Sequence, residues 1–288
     1  MTTTSSEIEI RIFGARNAGK TTYLATLAAC PSGLKEKYAG IEVIPRSTET
    51  KDLADLAEDI LKKKAKIAPT IYDAQQQHNL PYYDFLIKIP GNEERKKIDI
   101  ELTTRDFPGE FFENIPRPDK QQEIQTWIDE LFTTTRWMIM MTDWEPNWDK
   151  SVYKPAFEKL CQELSEREEN NPELKNVRIA VVMNKCERGE LWPCRLDPDE
   201  DLFEVRLPET YKLLTKKLSP KRLEFFACSA FGILCDRREG FDPRPNCYLP
   251  DDGTPEEIKA YLRNPGSWYP YGLIPPLYWL ATGIRLEE

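Results

Sequence analysis

The stretch "GARNAGKTT", residues 14–22, holds two glycines five apart, followed at once by a lysine and two threonines. Those residue types at that spacing suit the cradling of phosphate. Gly14 and Gly19 let the backbone curl so that successive N–H groups point inward at phosphate oxygens. A helix starting near Lys20 adds the positive end of its dipole. The Lys20 ammonium can reach the outer phosphates of a nucleotide, and the Thr21 hydroxyl can ligate Mg2+. Such a loop needs a strand before it and a helix after it. "EIEIRIFG" (7–14) alternates and ends in glycine, as a strand does, and "KTTYLATLAAC" (20–30) suits a helix stopped by Pro31.

Three later stretches lie at the ends of expected strands. "DFPG", from Asp106 to Gly109, closes a strand over 98–106. A carboxylate there can hold Mg2+ through a water, and the Gly109 N–H can meet a terminal phosphate. Strand 177–183 runs into "NKCE" (184–187), and strand 222–228 runs into "CSAFG", which contains Ser229 and Ala230. Taken in this order, the chain resembles the Ras-like and translation-factor-like P-loop GTPases, whose motif series is GxxxxGK[ST], DxxG, NKxD and SA. The resemblance covers residues 7–230 and extends to the expected final helix.

The resemblance implies an α/β P-loop NTPase (G-domain) fold: a mainly parallel sheet with one antiparallel strand pair and helices on both faces. It implies GTP or GDP as ligand, Mg2+ as cofactor, slow hydrolysis, and a protein effector or activator. Gly14, Asn17, Ala18, Gly19, Lys20, Thr21 and Thr22 would hold phosphate, with Thr21 on the metal and Asp106 behind it. Asn184 would brace the loop, and the Lys185 stem would stack on the base. Glu187 stands where the family has aspartate, whose two oxygens accept from guanine N1–H and N2–H2; glutamate keeps both acceptors on a longer arm. Adenine offers no matching donor pair. Ser229 belongs to the same motif, and the Ala230 N–H would meet guanine O6.

Two departures bear on catalysis. Glu110 follows DxxG where a water-orienting glutamine is common. Its carboxylate can accept from water but repels the outermost phosphate, which points to slow or partner-dependent hydrolysis. Arg16 lies inside the phosphate loop, where Ras-like members carry glycine. Its guanidinium could touch phosphate, crowd a partner's arginine, or point to solvent. The first switch should supply a metal-ligating threonine: Thr70 in "APTIYD" is the choice, with Thr48 and Thr50 as rivals. "FFENIP" (111–116) would be the second switch, in which Phe111 and Phe112 either form a nucleotide-dependent contact or pack within the loop.

The remaining elements follow from periodicity. Apolar residues recur at helical spacing over 51–64, 151–168 and 208–218, and through Ile124, Trp127, Ile128, Leu131 and Phe132. "YYDFLIKI" (82–89) and "IDIELTTRD" (98–106) form a hairpin. "RWMIMMTD" (136–143) and "VRIAVVMNK" (177–185) are near-continuous apolar runs, expected of strands buried on both faces. A short helix is expected at 255–263, and a last one, opened by proline, at 275–286. This gives a single G-like domain over 1–288, with an insertion at about 31–81 near the first switch and a Pro- and aromatic-rich extension at about 235–288.

Of the 288 residues, 40% are hydrophobic and 11% aromatic, enough for a large core. A net charge of −9 with no basic stripe argues against nucleic acid or anionic lipid as the main partner. Lys62, Lys63, Lys64 and Lys66 read as a solvated helix face, and the acidic run "DPDED" (197–201) as a solvated loop. The aromatic run at 266–279 reads as packing on the sheet edge. The seven cysteines lack zinc-ligand spacing, and one histidine, His78, makes no metal cluster. No apolar run reaches membrane-spanning length and no signal peptide is legible, so the expected location is the cytoplasm. Two other functions stay open: a non-hydrolysing GTP-binding scaffold, motivated by Glu110, and a small-molecule kinase, for which Arg237 and Arg238 are lid candidates by type alone.

Overall fold

The structure, a computed structural model, describes residues 4–29, 40–63, 81–91, 97–105, 107–237, 240–248 and 261–286. The chain opens with β1 (Thr4–Glu9) and β2 (Arg11–Gly14), then α1 (Lys20–Ala28), β3 (Glu42–Pro45) and α2 (Thr48–Lys63). The hairpin β4 (Tyr82–Ile89) and β5 (Ile98–Arg105) leads to α3 (Gly109–Asn114) and α4 (Gln121–Leu131). Next come β6 (Arg136–Met141), α5 (Lys154–Glu168), β7 (Arg178–Met183), α6 (Leu191–Cys194), α7 (Pro208–Lys217) and β8 (Leu223–Ala227). The last part holds β9 (Ile233–Arg237), β10 (Gly240–Pro245), β11 (Cys247–Tyr248), β12 (Tyr261–Leu262) and α8 (Pro275–Thr282).

Two four-stranded sheets, ordered β3-β4-β5-β1 and β2-β6-β7-β8, meet where β1 passes into β2. The single residue between them, Ile10, still donates its N–H to Thr103 O at 3.2 Å. The chain therefore pairs with β5 on one side and β6 on the other. The strand at 7–14 is thus two pieces: it begins at Thr4 and breaks once as it changes partner. The pairs β1·β5, β2·β6, β6·β7 and β7·β8 are parallel. The hairpin is antiparallel, with Phe85 opposite Leu102 and Ile87 opposite Ile100. A second antiparallel neighbour, β3, adds itself outside β4, with Ile44 opposite Leu86.

Alternation explains which face each residue takes. In β4, Tyr83, Phe85, Ile87 and Ile89 are buried while their neighbours are half-buried or exposed. In β6 and β7 every second residue joins a different core. Trp137, Ile139, Met141, Val181 and Met183 pack with Phe13, Phe111, Trp127 and Phe157 under α3, α4 and α5. Met138, Met140, Ala180 and Val182 pack with Tyr23, Leu24, Leu277 and Leu280 under α1 and α8. Helices thus cover both faces, as the continuous apolar runs require.

Several boundaries differ from the periodicity. Helix α2 starts at Thr48, because Ser47 Oγ accepts the Thr50 N–H at 3.1 Å and caps it. Residues 261–262 of the expected 255–263 helix instead form β12, paired with β11, and Arg263 lies in a bend; residues 255–260 lie outside the described residues. The acidic run leads into a π-helical turn, Pro198–Glu204, anchored by buried Leu202 and Phe203. The aromatic run near the C-terminus packs on the sheet face through α8, and Tyr271 bridges to Ser229. Among the described residues no helix is long and apolar enough to cross a membrane.

Phe111 and Phe112 are fully buried and present no contact surface. Phe111 lies 6.1 Å from Phe13 and from Trp127, ring centre to ring centre. Phe111→Ala is expected to cost about 3–5 kcal/mol of stability, because a cavity replaces the ring in this aromatic cluster. Denaturant unfolding of the two proteins measures that difference.

Candidate nucleotide site

The phosphate loop, NKCE and CSA leave the C-terminal ends of β2, β7 and β8, parallel strands of one sheet, and so lie at the same edge. The phosphate loop leaves the C-terminal end of β2, the strand that lies beside β6 once the chain has left β5 at Ile10. In open α/β sheets, a crevice forms where the strand order reverses. The loop closes on itself. Lys20 Nζ donates to Gly14 O and Ala15 O, both at 3.0 Å, and the side chain is 7% exposed. Asn17 adopts φ 58°, a left-handed conformation that asparagine tolerates well. Gly19 follows at φ 84°, and a Cβ there would stand 2.5 Å from Asn184 Nδ2. Glycine lets the loop and the end of β7 come this close. The contact is a bond: Asn184 Nδ2 donates to Ala18 O at 2.7 Å. Helix α1 then begins at Lys20, with Thr21 and Thr22 half-buried in its first turn.

Asp106 and Thr70 lie outside the described residues. Of the rivals, Thr50 is buried and its hydroxyl accepts the Asp84 N–H at 2.8 Å, a structural duty in the α2–β4 contact. Thr48 is exposed at the start of α2. Gly109 begins α3 pressed against the phosphate loop, where a Cβ would meet Arg16 N and Cα at 2.4 Å. Glu110, in the first turn of α3, is half-buried.

Arg16 is exposed, its side chain 57% accessible, and it is ion-paired at the protein surface. Its guanidinium is clasped by Glu113, one turn into α3: Nε donates at 3.1 and 3.0 Å to the two oxygens, and Nη2 lies 2.9 Å from Oε2. The Arg16 backbone N–H donates to the same carboxylate at 2.9 Å. Glu113 therefore ties the phosphate loop to the segment after DFPG.

The base side is built by the loops after β7 and β8. Lys185 has φ 63°, and burial pushes its ammonium down to about 8, with the nearby Arg188 charge adding to the effect. Its Nζ lies 5.2 Å from the centre of the Trp144 ring, which is 50% exposed at the end of β6. Glu187 is 2% exposed. Its Oε2 accepts from Ser229 Oγ at 2.6 Å, while Cys247 Sγ stands 4.0 Å from Oε1. Burial pushes this carboxyl above the ordinary range; the Ser229 bond opposes that shift. Ser229 is fixed in turn, exchanging backbone bonds with Tyr271 at 2.9 Å and accepting the Gly232 N–H on its hydroxyl at 2.8 Å. Ala230 is buried beside it, its carbonyl taken by Trp268 Nε1 at 2.8 Å.

Gly14, Asn17, Ala18, Gly19, Lys20, Asn184, Lys185, Glu187, Ser229 and Ala230 thus converge on one rim. Four neighbours were not legible as site residues. Glu113 lies four positions after Gly109, one helical turn away, and only the α3 helix brings it back. Arg188 directly follows NKCE, the one adjacency that could have flagged it. Trp144 follows an apolar strand. Cys247 sits 60 residues after Glu187, in a segment without periodicity. Two buried polar atoms at this rim, Asn184 Oδ1 and Arg188 Nη1, have no hydrogen-bond partner among the described residues. With the close approach at Gly19, they fit a site whose last polar partner is a ligand.

No protein-family model and no curated protein sequence matches the chain. Among solved structures it is similar to the translation elongation factor SelB from Methanococcus maripaludis, in complex with the GTP analogue GPPNHP. That match has 13% identity and a TM-score of 0.35, over 80% of this chain and 31% of that one. It is also similar to the S. cerevisiae Ski7 GTPase-like domain. The form bound to GTP matches at 14% identity and TM-score 0.41, over 86% and 47% of the two chains. The form bound to GDP and inorganic phosphate matches at 14% and 0.37, over 78% and 43%. The chain spans less than half the length of each of these solved chains. Its own architecture is α/β, with mainly parallel strands and helices on both faces, and the phosphate loop, NKCE and CSA follow β2, β7 and β8.

Proposed function

We propose that this chain is a Mg2+-dependent GTP-binding protein that hydrolyses GTP slowly and serves as a nucleotide-controlled switch for a protein effector. The observation that carries this reading is the Asn184–Ala18 bond. It locks the phosphate loop to the loop that bears Lys185 and the enclosed Glu187 carboxylate, so both ends of one nucleotide are read from a single rigid rim. Backbone N–H groups of residues 15–20 and the Lys20 ammonium would neutralise the phosphates. Thr21 would hold Mg2+, which supplies charge neutralisation between the outer phosphates, with Asp106 and Thr70 as its further expected contacts. Glu187 would accept from the N1–H and N2–H2 of guanine. The edge strand β3 with helix α2, and the segment from β9 to α8, are then additions to one G-like domain.

Glu110 sets the slow rate, since a carboxylate near the attacking water repels the phosphate it must approach. Arg16, held by Glu113, serves as a structural clasp. Arg16→Ala is therefore expected to change single-turnover hydrolysis far less than the ~10³-fold or greater loss that follows removal of an arginine finger. Glu110, in the first turn of α3, also motivates a second reading, a nucleotide-loaded scaffold that does not turn over. Single-turnover assays with γ-labelled GTP separate the two. Slow phosphate release that needs Mg2+ supports the switch; no release, alone or with candidate partners, supports the scaffold.

A further inference from the structure

Arg188 has no place in the motif series, yet it is set within the base side of the site. Its guanidinium carbon lies 3.1 Å from the centre of the Trp144 ring, so the planar group is stacked on that indole. Its backbone N–H donates to Lys185 O at 3.3 Å, which folds the residue back beside the lysine. Nη1 is buried and, among the described residues, has no acceptor. The carboxylates that act on it through space are Glu187 and Asp143, with the Cys247 thiol close by. Glu187 instead bonds Ser229, so neither the motif nor its neighbours satisfy this donor. A buried donor on a cation without an acceptor is costly, and the cost is recovered if a ligand brings the acceptor.

We propose that Arg188, held flat on Trp144, is a further base-reading residue that donates to the 6-oxygen of a purine. The inference rests on the guanine reading given above. A guanine that presents N1–H and N2–H2 to Glu187 carries its carbonyl oxygen next along the same edge. That oxygen has two lone pairs, one for the Ala230 N–H and one for Arg188. Adenine places an amino group there, donor against donor. Arg188 therefore adds a test for an oxygen to the test for donors made by Glu187, and the pair selects 6-oxopurines.

The test is a cycle between Arg188→Met, which keeps an apolar stem on Trp144, and removal of the oxygen from the ligand. Dissociation constants are measured for GDP, for IDP, and for the diphosphate of 2-aminopurine riboside, which lacks the 6-oxygen and with it the N1 proton, a second loss that is the same for parent and variant and so cancels in the cycle. Losing one charge-assisted hydrogen bond should weaken GDP and IDP by about tenfold to a hundredfold. The 2-aminopurine nucleotide should weaken by no more than about twofold, since its partner atom is already gone. Thermal unfolding of Arg188→Met checks that the fold is retained. Equal losses for all three nucleotides would mean a merely structural role and overturn the proposal, as would no loss for GDP. If the unsubstituted chain binds none of the three, the guanine reading itself fails, and the proposal with it.

Discussion

Lys20→Ala is expected to abolish nucleotide binding, with a loss of at least about a hundredfold, because charge-assisted bonds to phosphate are the strongest such contacts and several share this one ammonium. Its present partners show what else changes. Lys20 Nζ closes the loop by donating to the carbonyls of Gly14 and Ala15, and the side chain is nearly enclosed. Alanine would leave both carbonyls to water and let the loop relax, so part of the loss could come from loop disorder. Lys20→Met separates these causes. It keeps the stem that fills the space and removes only the ammonium, so it should lose binding as fully as alanine while unfolding closer to the parent. Equilibrium binding of a fluorescent GDP, read beside thermal unfolding, provides both numbers. Retained binding in Lys20→Met would place the phosphates elsewhere.

Glu187→Gln should have the second largest effect, with opposite signs on binding and on stability. Toward guanine, an amide offers one acceptor in place of two and turns a donor toward N2–H2. Two charge-assisted bonds at about 1.5–3 kcal/mol each amount to a loss of about a hundredfold to ten-thousandfold. Toward the ligand-free fold the change is favourable. The carboxylate is enclosed, and burial raises its proton affinity. A carboxyl whose folded-state pKa lies above its unfolded value binds its proton more readily in the native chain. Stability is then greatest at low pH and falls as pH rises from about 4.3, the unfolded glutamate value, through the folded-state value. Glutamine removes that slope. Guanine binding runs the other way: it needs the ionised carboxylate and should weaken as pH falls through the same window. Unfolding and GDP-binding curves across that pH range test both signs.

The parts of this account that were legible in the sequence are those set by local pattern. The uninterrupted apolar runs of β6 and β7 could only be strands buried on both faces. The glycine spacing around Lys20 and the placement of "NKCE" and "CSA" after such strands fix the rim, because a parallel strand must deliver its next residues to the same edge of the sheet. What was not legible depends on distant partners. Strand β3 is four residues with a proline, too short to signal itself, and exists through its pairing with β4. Arg16 could not be decided from the loop alone, since its partner Glu113 is 97 residues away and is turned toward it by α3. Phe111 and Phe112, read as either a nucleotide-dependent contact or packing within the loop, pack because Phe13, Trp127 and Phe157 converge on them from separate elements. Cys247 reaches Glu187 through the β9–β12 region, where neither a two-residue nor a helical period gives warning.

The most direct test of the central claim is a competition titration of the purified chain with Mg2+ present, displacing fluorescent GDP by unlabelled GDP and by ADP. The site described here predicts displacement by GDP and at least about a hundredfold weaker displacement by ADP, because adenine presents no donor pair to Glu187. ADP displacing as well as GDP, or neither nucleotide binding, would contradict it.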